Sequence, residues 1–410
     1  MTYSLIYNGT IIDGKGNKPI KEGAILIEND RILQIDREDS IKLPDDPICK
    51  IDAKEGFILP GFIDTHVHLM LDGFDICNII KTPLSLYFYR AIRNMQLTLN
   101  AGVTTVRDAG LADIGLKMAV EHGLINGPRM QISVDALTVT GGHFDLMLKS
   151  GFDATIKYPG FPDSLCDGAE EVRKKTREII RAGADVIKVM ATGGVVSPNA
   201  RAEYNQFTEE EIEVMVEEGR RRGNIKVMAH AHGKEGIKNA VNGGVHSIEH
   251  GTYLDDECIQ LMLASGTYLV PTLYVIFYNG ELGFSNSDNL PDWINEAIEI
   301  VDIHRDNIKK AYQAGVKIVM GTDCGIAPHG NNLKELELLC EIGMSPMEAI
   351  MAGTKNAAEC MGWEKEIGTL EEGKLADIVI SKKNPLKDIK SLGNPDNIAM
   401  VIKSGDIIKK

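Results

Sequence analysis

The sequence predicts an α/β fold: a (β/α)8 barrel over residues 57–364 beside a small β-sandwich built from residues 1–56 and 365–410. Three observations lead there. Short alternating strands with no helix between them occupy the first 56 residues, and from Gly61 onward the rhythm changes to apolar strand, loop and amphipathic helix. The tail then returns to β character at Gly368–Ile380 and Met400–Ile402.

In order, the opening segment reads as strands at Ser4–Tyr7, Ala24–Ile27 and Arg31–Ile35, broken by turns at Asn8-Gly9 and Asn29-Asp30. The next region carries eight candidate strands: Phe57–Ile63, Thr104–Arg107, Arg129–Ser133, Val186–Met190, Val227–His230, Ser247–Glu249, Tyr268–Pro271 and Lys317–Met320. Between them lie helical patterns at Leu84–Ala101, Gly168–Ala182, Thr208–Gly223, Lys234–Ala240 and Trp293–Ala314. The third opens with Thr208-Glu209-Glu210-Glu211, a capping box. Repeated strand-helix alternation calls for a parallel sheet with crossover helices.

Composition excludes several classes. A net charge of -15 disfavours a nucleic-acid partner, because phosphate-backbone binding needs a basic surface. The start Met1-Thr2-Tyr3-Ser4 lacks a basic, apolar secretory pattern, and no stretch reaches the ~18 apolar residues of a membrane span. A cytoplasmic location and no membrane association are therefore expected. Seven cysteines without a CxxC pair read as reduced thiols.

A barrel places its chemistry at the carboxyl ends of its strands. His66 and His68 end the first strand and, two residues apart on an extended segment, point the same way. Lys188 lies in the fourth strand, His230 ends the fifth, His250 follows the sixth and Asp323 follows the eighth. Imidazoles and a carboxylate suit zinc or a similar divalent ion, with His66 and His68 on one ion and His230 and His250 on a second. Lys188 alone reads as a snorkelling or salt-bridged lysine. Within this company its ammonium would repel both ions, so membership requires loss of its charge; carboxylation by CO2 would give a bridging carbamate. Two such ions would activate a bridging hydroxide for attack on an amide or ester, and Asp323 would shuttle the proton.

The motifs Leu59–His68, Gly102–Asp108, Gly141-Gly142-His143, Asp185–Gly194, Ala229–Gly233, Ser247–Gly251 and Gly321-Thr322-Asp323 together resemble the amidohydrolase superfamily. They are most similar to its metal-dependent Xaa-Pro dipeptidase, or prolidase-like, and Xaa-Arg/Lys carboxypeptidase-like branch. The resemblance spans nearly the whole chain. It implies a TIM barrel with a composite β-sandwich, a homo-oligomer, and a binuclear zinc site. His66, His68, Lys188 as N6-carboxylysine, His230, His250 and Asp323 match its ligands.

The expected activity is cleavage of dipeptides or N-acyl amino acids, with a small-molecule or dipeptide substrate. The alternatives are a non-peptide amide, carbamate or phenylurea hydrolase on the same site, an imidazolonepropionase-like cyclic amide hydrolase, and a non-catalytic metal-binding scaffold. Lys188 argues against the single-metal members, and the complete ligand set against the scaffold. His143 and His232, with Arg201, are expected to hold a substrate carboxylate. Tyr274 reads as a pocket wall or a core tyrosine, Asp108 as a structural partner, and Cys324 as a packed residue. The segment from Phe144 to Cys166 is expected to form the loop that decides substrate.

Overall fold

The computed structural model describes residues 2–195, 200–285 and 292–410, without the side chains of 282–285 and 292–297. The first segment supplies β1 (Tyr3–Ile11), β2 (Ile20–Glu28), β3 (Arg31–Arg37), β4 (Ile48–Asp52) and β5 (Phe57–Pro60). Asn29 turns the chain between β2 and β3 as expected, but Asn8-Gly9 does not end a strand. β1 runs through it with a register shift between Ile6 and Gly9 and Asn8 at φ 57°. The local twist is that of a bulge, which keeps the strand paired on both sides.

The parallel strands are β6 (Phe62–Val67), β7 (Val103–Asp108), β8 (Arg129–Ile132), β9 (Ala136–Leu137), β10 (Val186–Met190), β11 (Lys226–Ala231), β12 (Ser247–His250) and β13 (Tyr268–Val270). The tail adds β14 (Ile378–Ser381), β15 (Ile398–Lys403) and β16 (Asp406–Lys409). The strand expected over Phe57–Ile63 is in fact two. Gly61 packs against the Thr104 side chain with no room for a Cβ. There the chain leaves β5, paired with β14, and enters β6, paired with β7. Residues 368–377, expected to be β, form no strand; only Ile378–Ser381 does, because the Glu371-Glu372-Gly373 turn interrupts the pattern.

Strands from both ends of the chain share one eight-stranded sheet in the order β16-β15-β14-β5-β1-β2-β3, with β4 on β1. Ile6, Ile25, Ile58, Ile378 and Ile402 form its apolar core. The parallel strands form a three-stranded sheet, β6-β7-β8, and a five-stranded one, β13-β12-β11-β10-β9. β6, β7 and β10 are buried along their whole length, as parallel strands covered on both faces must be.

Residues 317–320, expected as the eighth strand, make an isolated parallel bridge from Ile318 to Leu269. The Leu269 N–H also donates to the Lys317 carbonyl at 2.8 Å, and the Thr65 N–H to the Met320 carbonyl at 3.0 Å, so this segment touches both sheets. Of the covering helices, Gly168–Arg181 buries Val172, Thr176 and Ile179 along one stripe. Glu209–Arg221 starts in the Thr208/Glu211 capping box that the sequence announces. Among the described residues no helix is long and apolar enough to cross a membrane.

Candidate active site

The carboxyl ends of the parallel strands converge on one cleft, lined by His66, His68, Lys188, His230, His250 and Asp323, with His143 and His232 beside them. All six residues expected at the metal centre therefore meet. Two groups have ligand atoms close enough to share an ion: His66, His68 and Asp323 in one, His230, His232 and His250 in the other.

His66 ends β6, where Glu249 Oε2 accepts from its Nδ1 at 2.7 Å. Burial lowers its pKa to about 4, so at neutral pH the ring is neutral and its Nε2 turns a lone pair toward the cleft. Nδ1 of His68 lies 3.3 Å from the Gly110 carbonyl. Asp323 follows Thr322 in a left-handed turn, φ 58°, held from below by Asp64. The Asp64 carboxylate accepts from Thr322 N at 3.1 Å, Thr322 Oγ1 at 2.6 Å and Asn332 Nδ2 at 2.8 Å.

Asp323 Oδ1 comes within 3.3 Å of His68 Nε2 and 3.6 Å of His66 Nε2 but makes no hydrogen bond. A buried carboxylate oxygen without a donor, facing two imidazole nitrogens, is a donor set suited to a cation. Burial raises the Asp323 pKa, yet His66, His68 and Lys188 hold it well below the usual carboxylate range.

In the second group the His250 Nδ1 bonds Thr272 Oγ1 and the His232 Nδ1 bonds Thr252 Oγ1, both at 2.7 Å, while His230 directs Nε2 to the Gly193 carbonyl at 3.0 Å. Each ring keeps its other nitrogen for the cleft. Burial lowers the pKa of all three, to about 3 for His232. Lys188 is 1% exposed in the middle of β10, with His66 Nε2 3.4 Å from its Nζ. Burial brings its pKa down to about 8, within reach of a neutral, nucleophilic amine.

The remaining expected residues divide. The His143 ring lies 4.5 Å from that of His230 and keeps a buried Nδ1 unbonded, while Gly194 leaves space for the ring where a Cβ would collide. His232, expected at the substrate, stacks on His250 at 4.7 Å within the second group. Tyr274 is 4% exposed and packs in the core; its neighbours Val275 and Ile276 line the cleft and it does not. Arg201 is exposed and not among the described lining. Asp108 accepts from Leu69, Gly110 and Ala112 N–H groups, and Cys324 is buried, with its thiol pushed well up by burial.

Sequence reasoning missed Glu249 and Arg107. Both are buried, with Arg107 Nη2 donating to Glu249 Oε1 at 3.0 Å and Arg107 Nε to the Thr65 carbonyl at 2.7 Å. Burial opposes ionisation of Glu249, but Arg107 and His66 hold its pKa at about 2. The available signal was a carboxylate inside a buried strand, one residue before a candidate ligand: such a charge must be paired.

The sequence matches the amidohydrolase family over residues 57–408. It is 35% identical to ochratoxinase of Aspergillus niger over 427 aligned residues, covering 99% of this chain and 86% of that protein. Among solved structures it is similar to a Xaa-Pro dipeptidase with methionine bound in its active site, with a TM-score of 0.91 and 34% identity over 100% of both chains. A prolidase complexed with N-methylphosphonate-L-proline matches with a TM-score of 0.91 and 31% identity, again over 100% of both chains.

Proposed function

The chain belongs to the amidohydrolase family, a metal-dependent family, and from that premise we propose that this hydrolase cleaves the amide bond of dipeptides or N-acyl amino acids with two zinc ions. His66, His68 and Asp323 would hold one ion and His230 and His250 the other, with Lys188, carboxylated by CO2, between them. The observation that carries this reading is the pair of ligand groups facing one cleft around a buried lysine. When bound, the ions supply an activated water and polarise the scissile carbonyl.

The rest is the work of the chain. Asp323 takes the proton of the attacking water and returns it to the leaving nitrogen, a role open to a buried carboxylate that lines the cleft. His143, with its unbonded Nδ1 beside His230, binds the substrate's polar end. Lys188 must react as the free amine, and its burial favours that form. The same reading takes the two parallel sheets as one (β/α)8 barrel over residues 57–364 closed by residues 317–320, which hydrogen-bond to Leu269 on one side and Thr65 on the other. Residues 1–56 and 365–410 form the companion β domain, whose sheet also takes in Phe57–Pro60 as β5.

Two features of the relatives support an amino-acid substrate: methionine is bound in the active site of the dipeptidase, and the prolidase is complexed with N-methylphosphonate-L-proline. The likeness to ochratoxinase favours a second reading, a non-peptide substrate of the ochratoxin kind on the same residues. The deciding experiment is hydrolysis of a panel of dipeptides, N-acyl amino acids and ochratoxin by zinc-loaded protein, with metal content measured alongside. Turnover of dipeptides with two equivalents of zinc supports the first reading; turnover of ochratoxin alone moves it to the second. A carbamate signal on Lys188 in protein prepared with 13C-bicarbonate tests the carboxylation.

A further inference from the structure

Next to the cleft lies a second, smaller space walled by Leu111, Leu146, Ile156 and Phe161. Leu71, Phe74 and Phe144 line both, so the two spaces adjoin. Three of the walls, Leu146, Ile156 and Phe161, come from the loop after β9 that the sequence singles out as the one deciding substrate. The described lining is otherwise polar only at Asp135, Thr155 and Ser164. Asp135, 3% exposed, accepts from the Ala136 N–H at 2.9 Å and bonds Ser164, so its carboxyl is engaged with its own chain. What an occupant would meet is apolar wall.

A separate observation marks the same place. Among the described residues with positive φ other than glycine, the apolar ones are Leu111 at 81°, Val134 at 64° and Phe144 at 78°. Leu111 and Phe144 line the cavity; Val134 precedes Asp135 and its carbonyl accepts from the Leu111 N–H at 2.7 Å. A bulky or β-branched side chain in this region costs ~1–3 kcal/mol, a strain that persists where a site requires it. The other left-handed residues of this kind outside surface turns, His250, Thr272 and Asp323, surround the metal groups.

We infer that this annex is the specificity subsite: it takes the apolar or aromatic side chain of one of the two amino acids joined by the scissile amide, while the amide stays among the histidines. The inference rests on the amide-hydrolase reading above for its substrate and on the cavity for its location. Burying a phenyl or isobutyl group in place of a methyl gives about tenfold or more in affinity.

The test has two arms. Calorimetry measures binding of L-phenylalanine, L-alanine and L-lysine to zinc-loaded protein, and kcat/KM is measured for dipeptides carrying Phe or Ala at each position. Phenylalanine should exceed alanine about tenfold or more in binding, and in kcat/KM at one of the two positions. Ile156→Trp, and independently Leu146→Phe, fill the cavity from different walls and should bring that ratio toward one. The ratio is taken within each protein, so a loss of folded material does not imitate it.

Equal binding of phenylalanine and alanine, or a preference that survives both variants, overturns the subsite. Tightest binding of lysine overturns its apolar character and assigns recognition to Asp135. Phenylalanine binding that responds to both variants without hydrolysis of any dipeptide sustains the subsite and sinks the peptidase reading.

Discussion

The two histidine groups do the same job by different means. In the first, the ring of His66 is oriented by a carboxylate, Glu249, itself paired with a guanidinium, Arg107, all of them buried. In the second, His250, His232 and His230 are oriented by two threonine hydroxyls and a backbone carbonyl. The difference follows from where the partners sit. Glu249 belongs to β12 of the five-stranded sheet, whereas His66 and Arg107 belong to β6 and β7 of the three-stranded one. The charged chain thus crosses from sheet to sheet through the molecule's interior.

The neutral bonds stay among neighbouring strands and loops of the five-stranded sheet. Breaking a buried ion pair costs ~3–5 kcal/mol, against about 1 kcal/mol for a neutral hydrogen bond. The first group should therefore be sensitive in both stability and chemistry, and the second chiefly in metal affinity.

The largest effect belongs to Asp323. Asp323→Asn keeps the size of the side chain and removes the proton acceptor, so kcat should fall by ~10²–10⁴ in steady-state assays of the zinc-loaded enzyme. Full turnover in that variant would remove Asp323 from the proton path. Next comes Glu249→Gln. It strands the Arg107 guanidinium and weakens the hold on His66, so urea denaturation of metal-free protein should show ~3–5 kcal/mol lost. Zinc affinity should fall ~10–100-fold, measured by competition with a chelator. Thr272→Val removes only a hydroxyl partner of His250. Zinc affinity should drop toward the lower end, about tenfold, with stability changed by about 1 kcal/mol. If Thr272→Val proved as damaging as Glu249→Gln, the contrast between charged and neutral support would collapse.

These differences also explain what could be read beforehand. Candidate ligands at strand ends were legible because a histidine or aspartate there breaks an apolar pattern at a place that a parallel α/β fold reserves for chemistry: His66, His230 and His250 all fall in or at the end of strands that the alternation announces. The support was not, since the partnership of Arg107, Glu249 and His66 spans sequence separations of 142 and 183 residues and leaves no local periodicity. Tyr274 and Arg201 show the limit from the other side. Each has suitable chemistry, but one turns into the core and the other to the surface, and a side chain's direction after a strand end depends on loop geometry. The division at Gly61 hid in a run of apolar residues that two different sheets share.

The smallest effect on catalysis is expected where the charge motif recurs outside the site. Glu218, nearly buried on helix Glu209–Arg221, accepts from Arg177 Nε and Nη2 and from Arg173 Nη1, each at 2.9 Å. Hydrogen bonds from Arg177 and then Arg173 outweigh burial and lower its pKa from 4.5 to about 2. A carboxyl with a depressed folded pKa binds fewer protons folded than unfolded, so its contribution to stability is full above pH 4.5 and fades as pH falls toward 2. Glu218→Gln should lower the urea midpoint at neutral pH, with the gap from the unaltered protein closing on acidification, while kcat/KM and zinc content stay unchanged. An ion-pair network that costs stability and nothing else when broken would show that the Glu249 network matters to the reaction through His66, and not because buried charges hold any part of the fold.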